Sequence, residues 1–397
     1  MVMKETCNKC GNEVINDRKL DNSVWNCPNC GLEEYQHVSS STEETESSEN
    51  PLTSNPMLQP NYWGENIIAE IEGNKLTLMG TGRIKDFTQD EKRKFYGVTK
   101  ITEIIIENGI THIGSFAFFR GHSLISIKIP ESVTSIGESA FYMCSALPSI
   151  HLPKYLNAIE KGAFRDCSKL SSIIIPQDVD KIGDIAFHSC TSLKAATLPN
   201  NINRINPGVF RDCINLSNIE LPESIESIGN GAFYNCTNLS NMTLPENIES
   251  IGDSAFFRCE KLSYLNLPES LQEIGSNALC GCESIINISI PKDINKICYG
   301  AFEGCKSLIS VELSRNIKTI EKDAFSGCKS LTSITFPEGL FLIGKNAFYG
   351  CSSLVTIVIP DSVLYIEDNS FEGCTNLKDI KAPETIKDQI LKQIINQ

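Results

Sequence analysis

The stretch PESIESIGNGAFYNCTNLSNMTL, residues 222–244, is followed at Pro245 by almost the same pattern. One slot recurs every 23 residues without any shift of phase, and proline fills it in most units. Its occupants are Glu107, Pro130, Pro153, Pro176, Pro199, Pro222, Pro245, Pro268, Pro291, Ser314, Pro337, Pro360 and Pro383. Self-similarity at a fixed period of this length is typical of a solenoid. The sequence therefore predicts twelve stacked units in residues 107–382.

Each unit follows the pattern P-x-x-I-x-x-I-G-x-x-A-F-x-x-C-x-x-L-x-x-I-x-L, whose positions we number 1 to 23 from the proline slot. Apolar residues alternate near its end, as in Ile173 and Ile175, which is typical of a strand that the next proline terminates. The Ala-Phe-x-x-Cys-x-x-Leu portion has the spacing of one face of a short helical turn. The Ile-Gly pair in the middle predicts a bend after a second short extended piece.

One unit cannot fold alone, because its few apolar side chains do not offset the entropy lost when 23 residues become ordered. Stacked units bury their apolar faces against each other and share main-chain hydrogen bonds, so only the array is stable. The repeat therefore predicts a continuous scaffold that presents a long surface.

The unit resembles the BspA-like class of leucine-rich repeats, and the resemblance covers about residues 98–382. It implies a curved right-handed solenoid with a parallel β-sheet on the concave face and short helical turns on the convex face. Some units depart from the pattern, since Gly121 replaces a cysteine, Leu279 a phenylalanine and Ser314 a proline. These departures weaken individual units and leave the predicted fold unchanged.

Both ends of the array have predicted caps. Residues 61–106 are similar to the β-hairpin cap that precedes such arrays, followed by a partial repeat. Gly73-Asn74 lies between alternating apolar runs and independently predicts a hairpin turn. In residues 383–397, three isoleucines at helical spacing predict a capping helix over the last unit: Ile386, Ile390 and Ile394.

The net charge is −14, from 35 basic and 49 acidic residues, so the chain lacks the basic surface that nucleic acids and anionic membranes attract. No apolar run is long enough for membrane insertion, and the start MVMKETCNKCG has no apolar core of a secretory signal. We therefore expect a cytoplasmic protein. The family resemblance implies an alternative, an adhesin at the cell surface or one secreted by a non-classical route.

Residues 1–37 contain two Cys-x-x-Cys-Gly pairs with the spacing of a four-thiolate zinc site. The ligands would be Cys7, Cys10, Cys27 and Cys30. This segment is too short to fold on its own core, so bound zinc would supply the folding energy of a small zinc ribbon. Iron in place of zinc, or a redox or disulfide pairing, stays open. Residues 38–60 are rich in Ser, Thr, Glu and Pro, which predicts a flexible acidic linker.

Eleven further cysteines occupy position 15 of the units, where we expect small buried apolar side chains rather than metal ligands. They are Cys144, Cys167, Cys190, Cys213, Cys236, Cys259, Cys282, Cys305, Cys328, Cys351 and Cys374. Cys280 and Cys298 lie outside this position and have no assigned role.

No catalytic constellation is present in the sequence, so we expect a protein that is not an enzyme. The segment from Gly339 to Asn346 is close to a phosphate-binding loop, but asparagine stands where the magnesium-binding Ser or Thr belongs. Its glycines and lysine also occupy ordinary repeat positions. A nucleotide-dependent enzyme or switch is therefore the weakest alternative.

The most consistent function is a scaffold that binds a protein partner of unknown identity. On the strand face, the outliers in otherwise small polar columns are His151, Ile174, Tyr264 and Val358. A second candidate surface lies at positions 5 and 6, which are polar in most units but apolar at Phe341, Leu342, Leu364 and Tyr365. Four stacked apolar groups would form an exposed docking or homodimer patch, unless the C-terminal helix covers them.

Overall fold

In a computed structural model, the structure describes residues 55–88 and 100–395, together with the backbone of four short N-terminal strands. The chain divides into two units, Met1–Pro51 and Leu52–Gln397. In the first unit, Lys4–Thr6 pairs antiparallel with Glu13–Ile15, and Val24–Asn26 pairs antiparallel with Glu33–Tyr35. The four cysteines of the predicted zinc site and residues 38–54 of the predicted linker lie outside the described residues.

The second unit is a solenoid of parallel strands, which confirms the predicted repeat solenoid. We call its 23-residue units coils 1 to 12, from residues 107–129 to residues 360–382. The strands at the end of the coils form the first ladder: Glu103–Ile106, Ser126–Lys128, Ser172–Ile174, Ala195–Thr197, Asn218–Ile219, Asn241–Thr243, Tyr264–Asn266, Asn287–Ser289, Ser310–Glu312, Ser333–Thr335, Thr356–Val358 and Asp379–Lys381.

The shorter strands at positions 6 and 7 form the second ladder. They are Gly82–Arg83, Ile110–Ile113, Ser135–Ile136, Ala158–Ile159, Lys181–Ile182, Arg204–Ile205, Ser227–Ile228, Ser250–Ile251, Glu273–Ile274, Lys296–Ile297, Thr319–Ile320, Leu342–Ile343 and Tyr365–Ile366. Within the three sheets that these strands form, neighbouring strands pair in parallel, and in the coils each residue pairs with the one a repeat away, as Ile228 does with Ile251. The isoleucines therefore lie above one another in the buried core, and the residues beside them face outward.

The prediction of helical turns between the two ladders is wrong. This side consists of successive β-turns, in which Ala140 N donates to Gly137 O and Cys144 N donates to Phe141 O. Positions 10 and 14 have positive φ, as at Ser139 and Met143, which interrupts helical geometry. The amide of Met143 donates to the next coil, at Arg165 O, instead of to a residue of its own coil. The neighbouring coil thus takes the hydrogen bonds that a helix would make internally.

The first ladder is interrupted in coil 2, where residues 149–151 form no strand. Pro148 occupies the position at which other coils donate a main-chain hydrogen bond to the coil before, as Ile125 N does to Thr102 O. Proline has no amide hydrogen, so this bond cannot form. His151, a predicted contact residue of this face, is exposed but does not lie on a strand.

At the N-terminal end, Ile67–Glu72 and Lys75–Gly80 form an antiparallel hairpin, and the second of these strands pairs in parallel with Glu103–Ile106. The predicted linker boundary at residue 60 is too late. Pro56–Leu58 forms a 3₁₀ turn in which Met57 is fully buried, and the Met57 carbonyl accepts a 3.1 Å hydrogen bond from Trp63 Nε1.

At the C-terminal end, the helix Glu384–Ile395 covers the last coil with Ile386 and Ile390 buried. In coil 11, Phe348 N donates to a carbonyl of the next coil, that of Ser370. The equivalent amide of coil 12 donates to Gln393 Oε1 at 3.1 Å. The helix therefore supplies the hydrogen-bond acceptor that a thirteenth coil would provide.

Candidate interaction surfaces and metal centre

The core contains a stack of phenylalanine rings, one from position 12 of every coil except coil 8, and the centroids of rings in neighbouring coils are 5.2 to 5.7 Å apart. The rings are fully buried, and Leu279 alone interrupts the stack in coil 8. The cysteines of position 15 lie beside it. In each case Sγ donates to the carbonyl of a position-12 residue of the preceding coil, as from Cys236 to Phe210 O at 3.1 Å.

Position 15 is a structural position, as the sequence predicts. All eleven thiols are fully buried. Burial raises the pKa of Cys144 to about 12 and also raises that of the other members of the column. A thiol that keeps its proton is a poor metal ligand and a poor nucleophile. Cys280 and Cys298 are also free thiols whose pKa values burial raises.

The described strands of the first unit flank the cysteine pairs of the predicted metal site in the sequence. Each Cys-x-x-Cys pair falls in the six residues that connect two paired strands, since Thr6 pairs with Glu13 and Asn26 pairs with Glu33. The two hairpins thus repeat after 20 residues, with equal connections. The cysteines themselves lie outside the described residues, so the four-thiolate site stays a prediction. Among the described residues, no group of three or more His, Cys, Asp or Glu could hold a metal ion.

The structure does not bring the predicted contacts of the first ladder together. Ile174, Tyr264 and Val358 are exposed. His151 and Ile174 lie in neighbouring coils 2 and 3, whereas Tyr264 lies in coil 7 and Val358 in coil 11. These residues therefore do not form one contiguous surface.

A row of four side chains, three of them aliphatic, immediately precedes the strands of the first ladder in coils 8 to 11, and the sequence analysis missed it. Ile286, Ile309 and Val355 occupy position 19 and are 44 to 46% exposed, with Thr332 between the last two. Successive main-chain bonds join them, from Ile309 N to Ile286 O at 2.7 Å and from Val355 N to Thr332 O at 3.1 Å. The sequence contains a signal that could have revealed this row. Position 19 is Ser or Lys in coils 3 to 7, and it becomes apolar at Ile286, Ile309 and Val355. We call Ile286, Ile309, Thr332 and Val355 the late row.

The predicted apolar patch on the second ladder is exposed. Phe341, Leu364 and Tyr365 are 41%, 67% and 62% exposed, and Leu342 pairs with Tyr365 in the ladder. Leu342 is half-buried, and the other three residues stay exposed with the C-terminal helix in place, because the helix packs against the open end of coil 12. We call all four residues the late patch.

The segment that resembles a phosphate-binding loop is part of the solenoid. Leu342–Ile343, in its middle, is a strand of the second ladder. A Cβ on Gly344 would come within 2.7 Å of the main chain at Lys322, so this glycine serves the close stacking of two coils. Turn residues of coil 11 follow it. This arrangement differs from the strand–loop–helix unit that cradles phosphates.

Comparison with known proteins gives the same family. The model of the BspA type leucine-rich repeat region matches residues 88–216, 204–313 and 296–394, which together cover the whole solenoid. The chain belongs to this family. No curated protein matches the sequence.

Several solved bacterial structures are similar. A leucine-rich repeat protein from Bacteroides ovatus is 30% identical, with a TM-score of 0.64, over 82% of this chain and 95% of that protein. One from Eubacterium ventriosum is 22% identical, with a TM-score of 0.56, over 81% and 95% of the two chains. A leucine-rich cell surface protein from Faecalibacterium prausnitzii is 24% identical, with a TM-score of 0.50, over 83% and 97%. The last two show the fold alone.

In the part of the chain that the structure describes, no helix is both long enough and apolar enough to cross a membrane.

Proposed function

We propose that this protein is a non-enzymatic scaffold that binds a protein partner through the first ladder of coils 8 to 11. The late row carries this proposal. Its three aliphatic side chains lie in coils 8, 9 and 11 beside a ladder of paired strands, where they cost little entropy to present, whereas the same position in coils 3 to 7 is polar. Leucine-rich repeat proteins generally bind protein partners, and their fold is typically that of a scaffold without catalysis.

The experiment compares two sets of variants in affinity capture, with the full chain as bait and captured proteins identified by mass spectrometry. Ile286→Ser, Ile309→Ser and Val355→Ser together should remove a specific partner. Ile125→Ser is the control, because Ile125 occupies the same position in coil 1 and is at least as exposed to solvent. A partner that survives the triple substitution, or that is lost with Ile125→Ser, would contradict the proposed surface.

The N-terminal unit is proposed to be a zinc ribbon that adds a second, metal-stabilised contact module. The matching hairpins and their thiol pairs support this proposal. Bound zinc would supply the cross-link that holds the two hairpins together, and the cysteines would each contribute a thiolate. Its residues 1–37 carry four basic and six acidic side chains, which favours a protein contact over a nucleic acid.

Elemental analysis of the purified full chain tests the metal. We expect about one zinc ion per chain. Substituting Cys7 and Cys27 with serine should remove it, whereas Cys280→Ser, which alters a thiol of the solenoid, should not. Iron in place of zinc, or a metal-free chain with both thiol pairs oxidised, would refute the zinc assignment.

A second candidate function is that of a cell-surface adhesin, in place of the expected cytoplasmic location. It is favoured by the similarity to the Faecalibacterium prausnitzii protein, which is described as a cell surface protein. Fractionation of the source cells, followed by surface proteolysis, separates the two. Protection from protease in intact cells supports the cytoplasmic scaffold, and cleavage supports the adhesin.

A further inference from the structure

The first ladder changes character in coils 5 to 8, where its outward side chains become amides around one aromatic ring. Position 20 holds serine or alanine in coils 1 to 4. In the next four coils it holds Asn218, Asn241, Tyr264 and Asn287, and Asn266 lies two residues beyond the tyrosine, on the same face of its strand. All five side chains are exposed, that of Tyr264 to 59%.

The pairing of the ladder is interrupted beside this ring. Asn218–Ile219 is the last strand of one sheet, and Asn241–Thr243 forms a separate two-stranded sheet with Tyr264–Asn266. A cavity of about 390 Å³ opens where the two sheets part, and its lining includes both first strands and the carboxylates of Glu220 and Glu223. This volume lies in the range of small-molecule sites. Asn241 lines the cavity and is also the ladder partner of Tyr264, so cavity and ring are continuous. We call Asn218, Glu220, Asn241, Tyr264 and Asn266 the amide site.

We propose that the amide site binds a neutral carbohydrate. The ring of Tyr264 offers an apolar face to the C–H groups on one side of a pyranose. The hydroxyl groups at the rim of the sugar both donate and accept hydrogen bonds, and asparagine side chains match them in both roles. The Glu220 carboxylate accepts from hydroxyl donors. Asn241 Nδ2 donates to Ser240 Oγ at 3.5 Å, a long bond that a sugar hydroxyl replaces at little cost.

Charge at the cavity excludes anionic ligands. Glu220 and Glu223 line it, and no lysine or arginine is among its described lining residues. A phosphate, a sulfated sugar or an acidic peptide would therefore meet negative charge without a cation to balance it. The ligand that this lining fits is rich in hydroxyl groups and carries no negative charge.

The spacing of the coils favours a sugar chain over a peptide. Paired strands such as those of Asn241 and Tyr264 lie about 4.8 Å apart, close to the advance of one pyranose along a linked chain. An extended peptide advances only about 3.3 Å per residue. Side chains on successive coils can therefore contact equivalent groups of successive sugars, whereas they fall out of step with the repeat of a peptide main chain.

Isothermal titration calorimetry of the full chain tests the ligand class. The probes are neutral oligosaccharides of hexoses, pentoses and N-acetylhexosamines, each with a sulfated counterpart. We expect at least one neutral probe to bind with a Kd below about 1 mM. Its sulfated counterpart should bind at least about tenfold more weakly, because it meets like charge. Failure of every neutral probe at millimolar concentration, or equal binding of the sulfated one, would overturn the proposal.

Substitutions test whether the amide site is where the sugar binds. Tyr264→Ala should weaken the affinity at least about tenfold, whereas Tyr264→Phe keeps the ring and should retain most of it. Asn241→Ala removes one hydrogen-bonding group and should weaken binding about fivefold. Ser172→Ala, at the same position in coil 3, is the control and should bind as the unaltered chain does. Unchanged affinity in Tyr264→Ala would contradict the assignment.

The late-row triple variant separates this site from the proposed protein contact. It leaves coils 5 to 7 unaltered, so it should bind the oligosaccharide normally while it loses the captured protein partner. Tyr264→Ala should show the reverse pattern. If instead no oligosaccharide binds and a captured protein is lost with Tyr264→Ala, the site takes a polypeptide, and the carbohydrate proposal fails.

Discussion

Coils 1 to 7 and coils 8 to 12 share one backbone but fill it with different residues. Position 14 is left-handed throughout. In the early coils it holds non-glycine residues with φ between 56° and 61°: Arg120, Met143, Asp166, Ser189, Asp212, Asn235 and Arg258. In the late coils it holds glycine with φ between 69° and 79°: Gly281, Gly304, Gly327, Gly350 and Gly373. The stack therefore imposes the conformation, whatever residue is present.

The two halves also differ in what their side chains contact. On the turn side of the early coils, Phe119 stacks on Tyr142 at 4.9 Å and Tyr234 stacks on Phe257 at 4.7 Å. The Arg211 guanidinium lies 4.0 Å from the centre of the Tyr234 ring. These side chains pack against each other along the stack. The late coils carry clusters of exposed apolar side chains in the late row and the late patch, whereas those of the early coils, such as Ile174 and Tyr264, lie in separate coils. The backbone is common to both halves, and the interaction surfaces are local.

The largest expected effect tests whether both halves share one core. Phe233 and Phe325 are fully buried, and each has a phenylalanine on either side at 5.3 to 5.6 Å. Substituting either with alanine should lower the free energy of unfolding by about 3–5 kcal/mol, because a large buried ring leaves a cavity. Urea unfolding followed by circular dichroism measures both. Losses that differ by more than about 1 kcal/mol would break the comparison.

A smaller effect tests the left-handed position. Gly327→Ala should cost about 1 kcal/mol in the free energy of unfolding, because an L-residue is strained at its φ of 72°. A Cβ there has room, since its nearest neighbour is Gly304 Cα at 3.7 Å. Gly327→Asn should cost less, because asparagine tolerates this conformation and Asn235 adopts it in coil 6. Equal costs for alanine and asparagine would show that steric contact, rather than φ, sets the difference between the halves.

The smallest effect concerns the first coil, at the N-terminal end of the stack. Asp86 Oδ1 accepts a 2.7 Å hydrogen bond from Ser115 N, which lowers the pKa of this carboxyl below its ordinary value of 3.8. A lowered folded pKa gives stability that is present above the ordinary value and is lost as pH falls through the folded one. The protection factor of the Ser115 amide, the ratio of its intrinsic to its observed exchange rate, should therefore fall below about pH 4. Asp86→Asn should remove this pH dependence, while the amide of Phe325, which donates to the main-chain carbonyl of Ala347, should show none in either protein.

The sequence predicted most of the fold because the repeat is an explicit physical signal. Core positions such as Ile228 and Phe233 are apolar in coil after coil, and a parallel stack is the arrangement that buries them all. The turns between the ladders were wrong for a different reason. Their apolar spacing fits a helix, and the positive φ at Ser139 and Met143 arises from hydrogen bonds to residues one repeat away. The spacing of apolar residues within one unit gives no information about hydrogen bonds to the next unit.

Surfaces were predicted less completely than the core. The late patch was found because Phe341 and Tyr365 stand out at positions that are otherwise polar. The late row was missed, although Ile286 and Ile309 stand out in the same way, because position 19 had not been treated as an outward-facing column. His151 was assigned to a strand that Pro148 prevents. Residues at one exposed position form a shared surface only where the strands of neighbouring coils are paired, and the structure was needed to show that pairing.

The sequence by itself determined the period, the number of coils and the buried columns, since a repeated apolar pattern has to be buried by stacking on its own neighbours. Only the tertiary structure decided which exposed residues share a face and what covers them. The C-terminal helix closes the end of coil 12 through Ile390 and Gln393, and it leaves Leu364 and Tyr365 open to solvent. The position of the helix depends on where the last coil presents amides that no further coil can bind, and the assembled stack decides where those amides lie.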